Sequence, residues 1–207
     1  LEEAVAQSLG GYQNPDLLPA DPAATPTDNS APDAAPEGDI GVSPDGFVFP
    51  LKTTKTVLTS NTGSSSRWCT KNTTNCHHDY NAADIFAPTG TVVVAARGGT
   101  VVKANDFDSS KVGSRVQIRG DDGLLYYYAH MGEGTIKVKN GDKITAGQQL
   151  GNVGTKADAV GTDMHLHFDI LPSSYSLRVS CSGAACSKYP FIAVQPSLTA
   201  AFAGLPQ

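Results

Sequence analysis

Short runs of β-branched and aromatic residues, separated by turns that contain glycine, fill the chain after residue 46. The runs Thr91–Ala96 and Thr100–Ala104 flank an Arg-Gly-Gly turn, a pattern typical of a tight β-hairpin. Ser114–Arg119 and Leu124–Met131 flank a Gly-Asp-Asp-Gly turn and predict a second hairpin. The repeated pairing of short strands with turns predicts an all-β fold built from antiparallel sheet.

Helical patterns are scarce in this chain. A turn or a short helix is expected near Pro196–Phe202, and no long amphipathic helix is predicted. No apolar stretch has the length that a membrane-spanning helix needs, so we expect no membrane span in this chain. The predicted folded domain covers residues 47–207.

Residues 1–46 have a different composition. They hold nine acidic residues, no Lys, Arg or His, and seven of the 13 prolines. Too few large apolar side chains are present to offset the entropy lost on ordering, so this segment is predicted to be a mostly disordered linker or tail. The remainder carries 11 acids against 15 bases. Without a basic run, this mild positive charge does not indicate nucleic-acid binding.

The four cysteines are Cys69, Cys76, Cys181 and Cys186, and none belongs to a CxxC motif. That spacing argues against a zinc ribbon and a thioredoxin-type site. Each neighbouring pair flanks a loop rich in Ser, Thr, Gly or Asn, which favours two local disulfides over four free buried thiols. Paired cysteines indicate an oxidising compartment, so a secreted or cell-envelope protein is expected.

The segment TDMHLHFDI, residues 162–170, places two histidines one residue apart in an apolar run. On a strand the side chains alternate between faces. One face then carries the apolar residues Met164, Leu166, Phe168 and Ile170. The other carries His165, His167 and Asp169. Because buried imidazoles each need a hydrogen-bond partner, this alternation indicates that the histidines line a surface or groove.

The other three histidines also lie at strands or strand entries. His130 ends the YYYAHM run, where alternation puts it on one face with Tyr126 and Tyr128, and His77 and His78 precede Asp84. Catalytic zinc commonly takes three His or carboxylate ligands and a water, whose pKa it lowers to about 7. There is no HExxH helix to supply a glutamate base, so a histidine must act as the base instead.

Four ordered motifs now carry a resemblance: HHDYNAADIFAPTGTVVVAARGGTVV, YYYAHM, VKNGDKITAGQQLGNVGT and GTDMHLHFDI. Together they resemble the lysostaphin-like (LytM-type) zinc metallopeptidases, which are peptidoglycan endopeptidases. The resemblance runs from about Phe47 to Pro172. It implies an antiparallel β-sheet sandwich with an open substrate groove and one bound zinc ion. The implied substrate is a cross-bridge or stem peptide of the bacterial cell wall.

The resemblance also implies roles for individual residues. Asp84 and His167 match two of the family's zinc ligands, and His165 and His130 match its two catalytic histidines. We expect His165 to act as general base and His130 as a donor to the developing oxyanion, although the two roles could be exchanged.

The first zinc ligand departs from the family's pattern. Members of the family usually have His-x-Gly-x-Asp, whereas here the nearest histidine to Asp84 is His78, six residues earlier and with no intervening glycine. His78 is favoured over His77 because it is closer to Asp84, and Asp79 is a third candidate.

These residues favour a secreted zinc endopeptidase that hydrolyses peptide bonds in peptidoglycan. The alternative is a non-catalytic member of the fold that binds cell wall or activates another hydrolase, but the chain keeps a full set of histidines. A cupin is disfavoured because Leu171 stands where a glutamate ligand would be needed. A structural zinc site is disfavoured because such sites are usually closed by four Cys or His ligands.

Overall fold

The computed structural model describes residues 40–60, 80–106, 112–159, 162–181 and 183–207. Most of the predicted linker lies outside these ranges, as do Cys69, Cys76 and the candidate ligands His77, His78 and Asp79. Residues 40–46 lie against the predicted domain, since the amide of Phe49 donates to the carbonyl of Gly41 at 2.8 Å. The boundary at residue 47 remains a prediction.

Eight strands lie within the described residues: β1 Ala82–Phe86, β2 Val92–Val94, β3 Gly99–Asn105, β4 Ser114–Gly120, β5 Leu125–Met131, β6 Lys143–Ile144, β7 Gln149–Asn152 and β8 His165–Leu171. Helix α1 spans Lys55–Ser60, a 3-10 helix spans Gly183–Lys188, and α2 spans Gln195–Ala203. Of the helices in the described ranges, none is long and apolar enough to cross a bilayer.

The strands form two antiparallel sheets. The larger sheet has six strands in the order β1-β8-β5-β4-β3-β6, and the smaller sheet pairs β2 with β7. Single bridges from Leu51 to Val93 and from Met131 to Val153 connect neighbouring segments. The predicted antiparallel all-β class is therefore confirmed.

The two predicted hairpins have different outcomes. Strands β4 and β5 pair as expected, with Val116 opposite Tyr128. The prediction of the first hairpin is wrong, because β2 and β3 do not pair with each other. Instead β2 pairs with β7, and β3 pairs with β4 and β6. At the start of β3 a Cβ on Gly99 would lie 2.1 Å from the carbonyl oxygen of Arg119, so only glycine allows this close pairing with β4. At the Arg-Gly-Gly turn the chain therefore passes from the small sheet to the large sheet and does not form a hairpin.

The main core lies on the apolar face of β8. Phe168 packs against Tyr128 and Phe47, with ring centroids 5.2 and 6.1 Å away, and all three side chains are buried. Each buried aromatic of this kind contributes about 2 kcal/mol of hydrophobic stabilisation. The hydroxyl of Tyr128 accepts a hydrogen bond from the amide of Ala96 at 2.9 Å, so its burial leaves no unmet polar group. Leu166 and Ile170 point into this core, as their alternation predicts.

Two short helices close the main core. Helix α2, which the sequence predicts, buries Leu198 and Ala201. Helix α1 was not expected, although its first turn carries a readable signal: the hydroxyl of Thr54 accepts a hydrogen bond from the amide of Val57 at 3.2 Å, as in an N-cap. Leu58 of that helix is fully buried.

A second, smaller cluster covers part of the opposite face of the large sheet. It contains Leu125, Leu171, Cys186 and Phe191, all buried. The structure joins Cys181 to Cys186 by a disulfide, the local pairing that the sequence favours. The other predicted disulfide lies outside the described residues. The histidines lie on the part of this face that the cluster does not cover.

Candidate active site

The strand register brings the predicted site residues together. Asp84 on β1 lies directly opposite His167 on β8, and His167 lies opposite Ala129 on β5. Paired residues in an antiparallel sheet share a face. Asp84, His165 and His167 therefore lie on the face away from the main core, as the alternation in β8 predicts.

His130 reaches the same face only because β5 is irregular at its end. Alternation places His130 beside Tyr126 and Tyr128, and that prediction is wrong. Its φ angle is 63°, in the left-handed region that residues other than glycine seldom adopt, and the β4–β5 register shifts nearby. The ring of His130 is turned toward His165, with centroids 4.6 Å apart.

A glycine permits this arrangement. Gly113 has a φ of 71°, and a Cβ there would lie 3.0 Å from the Cα of His130. The neighbouring Val112 carbonyl accepts the backbone amide of His130 at 3.1 Å. The close approach of residues 112 and 113 therefore holds the distorted end of β5 in place.

Both histidines of β8 lie close to the carboxylate of Asp84. Its Oδ1 lies 3.0 Å from Nδ1 of His167 and 3.6 Å from Nε2 of His165, and all three side chains are largely buried. Two ligands of a tetrahedral zinc ion, each about 2.0–2.1 Å from the metal, are separated by about 3.4 Å. The donor atoms of Asp84 and His167 thus fit a shared metal. The described residues alone present no group of three such donors, and predicted ligand His78 lies outside them.

Three further residues hold His167 from behind. Asp169 is fully buried, and its Oδ2 lies 3.1 Å from Nε2 of His167 while accepting a hydrogen bond from Nε of Arg178 at 2.7 Å. The hydroxyl of Tyr80 lies 3.0 Å from the same Nε2 and accepts from Nη2 of Arg178 at 2.7 Å. A carboxylate behind a ligating histidine fixes the ring and raises its basicity.

Sequence reasoning gave no role to any of these three residues. Asp169 was placed on the histidine face by alternation, but no role followed from that position. No sequence signal gave a role to Tyr80, which lies within the first motif, or to Arg178, which follows the last one. Only folding brings Arg178 to both the Tyr80 hydroxyl and the Asp169 carboxylate.

Burial and the two carboxylates act on His167 in opposite directions. Burial alone would lower its pKa, but the hydrogen bonds and charges of Asp169 and Asp84 outweigh that effect and raise the pKa to about 9. Without a metal the imidazole is therefore a cation at neutral pH. A pocket with this charge balance favours positive charge at the position where a metal would bind.

His130 has the opposite tendency. Burial, reinforced by neighbouring His165 and His167, lowers the pKa of His130 to about 4, so the ring is neutral at pH 7. Its Nδ1 lies 2.7 Å from the carbonyl oxygen of Asp158. Nδ1 of His165 lies 2.7 Å from the carbonyl oxygen of Asp163. Because a carbonyl can only accept, Nδ1 carries a hydrogen in both rings, and Nε2 holds the lone pair whenever the ring is neutral.

The part of the chain that carries these residues matches a known protein family. The model of Peptidase family M23 matches residues 78–178, which include Asp84, His130, His165 and His167. Residues 78–178 of the chain belong to peptidase family M23. The match extends to Arg178, so it also includes the residue that anchors Asp169 behind His167.

A curated relative of this M23 chain is Endolysin 2638A from Staphylococcus phage 2638A. The two are 28% identical over 118 residues, which are 55% of this chain and 24% of the endolysin. The chain thus spans about a quarter of the length of that relative.

Two solved structures are similar to the M23 chain. The catalytic domain of the antimicrobial peptidase lysostaphin from Staphylococcus simulans is 26% identical, with 58% of this chain and 79% of that chain covered and a TM-score of 0.44. The catalytic domain of a mutant of the prophage-encoded M23 protein EnpA from Enterococcus faecalis is 33% identical. There 44% of this chain and 67% of that chain are covered, with a TM-score of 0.36.

Proposed function

We propose that this M23 chain is a zinc-dependent endopeptidase that hydrolyses peptide bonds in bacterial peptidoglycan. The observation that carries the proposal is the convergence of His167 and His165 on one oxygen of Asp84, at 3.0 and 3.6 Å. The similarity to lysostaphin and to a phage endolysin supports a cell-wall substrate.

His78, Asp84 and His167 would hold one zinc ion. Nδ1 of His167 and Oδ1 of Asp84 are the donor atoms that face each other, and Asp169 keeps the His167 ring in that orientation from behind. When bound, zinc polarises the scissile carbonyl and acidifies a water.

His165 is suited to the role of general base. The hydrogen on Nδ1 is directed to the Asp163 carbonyl, so Nε2 offers its lone pair on the side of Asp84. In that position His165 accepts a proton from the attacking water and, as imidazolium, can return it to the leaving amine.

His130 takes the complementary role in this proposal. Because its Nδ1 hydrogen is directed to the Asp158 carbonyl, Nε2 of His130 can donate only when the ring is an imidazolium. Negative charge developing on the substrate carbonyl beside the ring raises the pKa of His130 from its low resting value. His130 therefore takes up a proton from solvent as the oxyanion forms and releases it when the carbonyl is restored. If the roles are exchanged, Nε2 of His130 is the base and Nε2 of His165 is the donor to the oxyanion.

The location and substrate complete the proposal. The catalytic domain would cover residues 47–207, and residues 1–46 would tether it to a wall-binding or membrane-anchored region or form part of a propeptide. The protein would act outside the cytoplasm, in keeping with the disulfide between Cys181 and Cys186. Its substrate is a cross-bridge or stem peptide that lies extended across the sheet face.

The test is mass spectrometry of purified peptidoglycans of several cross-bridge types after incubation with the protein. New amino termini that disappear when a zinc chelator is added, and return with zinc, are the expected result. Those termini also identify the bond. If zinc is bound but every wall stays intact, the chain is instead a non-catalytic wall binder or an activator of another hydrolase.

A further inference from the structure

A cavity of about 480 Å³ lies beside the candidate active site. Side chains of Lys103, Arg115, Tyr127 and Arg178 line it, together with residues 179–181. The roles proposed for the catalytic and zinc-binding residues leave this cavity unused.

The cavity continues the substrate face of the large sheet. Lys103, Gln117, Tyr127 and Asp169 are successive partners across β3, β4, β5 and β8. Neighbouring strands are about 4.8 Å apart, so Arg115 on β4 lies about 10 Å, or two strands, from His167 on β8. An extended peptide advances about 3.3 Å per residue, and a group three residues from the scissile bond would reach Arg115.

The charge of the cavity is one-sided. Among the described residues that line it there are three cationic side chains and no acidic one. Arg178 is neutralised by Asp169 and stacks on the ring of Tyr127, with its guanidinium carbon 4.5 Å from the centroid. Arg115 and Lys103 supply the other two positive charges that line the cavity, and Arg115 lies close to the Tyr127 hydroxyl.

Gln117 adds a fixed donor to the same wall. Its side-chain oxygen accepts the backbone amide of Arg178 at 2.8 Å, which turns the NH₂ end of the side chain the other way. Gln117 is largely buried, with 7% of its surface exposed. A guanidinium, an ammonium and an amide N–H group all favour an anionic acceptor with two oxygens.

We propose that this cavity is a carboxylate subsite, which binds a free carboxylate of the peptide about three residues from the bond that is cut. The inference rests on the proposed endopeptidase function and narrows its substrate. It selects stem peptides, whose glutamate and terminal alanine residues carry free carboxylates, over uncharged glycine cross-bridges. Arg115 and Lys103 are the specificity-determining residues, and neither belongs to the catalytic or zinc-binding group.

The test compares two forms of one substrate. Cross-linked muropeptide dimers are used with their carboxylates free and after amidation of those carboxylates. The wild-type chain is expected to cleave the free form with a kcat/KM about tenfold higher, mainly through KM, which corresponds to about 1.4 kcal/mol from hydrogen bonds to a charged group. The preference should weaken with added salt.

The double variant Lys103→Gln, Arg115→Gln should lose this preference by raising KM for the free form alone. The matched control Lys137→Gln, Lys139→Gln removes two exposed charges elsewhere and should keep it. Equal cleavage of both forms by the wild type, or a preference that survives in the double variant, would overturn the subsite.

Failure of the proposed function gives a different result. If neither form is cleaved, the endopeptidase proposal fails, and equilibrium binding of the same two dimers then decides the subsite by itself. If the wild type binds the free form more tightly and the double variant does not, the subsite proposal is retained. Equal binding of both forms rejects it.

Discussion

His130 and His165 face each other with ring centroids 4.6 Å apart, although strand alternation assigns them to opposite faces of the sheet. The left-handed backbone of His130 accounts for the difference. Such a conformation costs a residue with a Cβ about 1–2 kcal/mol. Hydrogen bonds from the ring and the backbone to the Asp158 and Val112 carbonyls hold it in place.

This conformation predicts an unusual ranking of two variants. His130→Gly and His130→Ala both remove the imidazole, but glycine adopts a φ of 63° without strain. We expect the glycine variant to have a free energy of unfolding about 1 kcal/mol higher than the alanine variant, the reverse of the usual order in a strand. Urea denaturation of both variants measures the difference. An alanine variant as stable as the glycine variant would show that the backbone at this position is unstrained in solution.

Zinc content should distinguish the roles of the two β8 histidines. His167→Ala removes a proposed ligand, so zinc and activity are expected to be lost together. His165→Ala removes the proposed base and should abolish activity while zinc is retained. Elemental analysis of the purified variants, paired with peptidoglycan cleavage, tests both. If both variants remain active, the site assignment is wrong.

Asp169 is expected to act on zinc through His167. In Asp169→Asn the ring of His167 loses a charged partner, and zinc affinity should fall about 10–100-fold. Competition with a chromogenic chelator gives the affinity. Arg178→Lys, which keeps a cation near Asp169, is the matched comparison and should lose less affinity. An unchanged dissociation constant in Asp169→Asn would mean that the contact is only structural.

Zinc binding should displace a proton from His167. Because the pKa of this ring is raised to about 9 in the metal-free chain, the imidazole is protonated at pH 7 and must lose that proton to ligate. Below pH 9 the neutral fraction falls tenfold for each unit that the pH drops, so zinc affinity should decrease as the pH falls. Calorimetry at pH 7 in two buffers of different ionisation enthalpy counts the protons released. Asp169→Asn keeps the proposed ligand and removes a carboxylate that raises this pKa, so fewer protons should be released, and an unchanged count would place the proton elsewhere.

The sequence by itself determined the elements whose signals are local. Alternation in residues 164–170 identified the buried and histidine-bearing faces of β8, and the turn between β4 and β5 identified that hairpin. The cysteine spacing favoured the Cys181–Cys186 pair, and the proline-bounded segment at the C-terminus predicted α2. These features depend on contacts between residues close in sequence, or on the alternation of apolar and polar residues within a single strand.

Only the tertiary structure decided the features that depend on distant partners. Strand β2 joins β7 because pairing across the molecule prevails over the local turn before β3. The direction of His130 depends on how residues 112 and 113 approach β5, and the position of Arg178 depends on a buried carboxylate on another strand. The energies that fix these features come from packing and hydrogen bonding between segments far apart in sequence, where no local pattern records them.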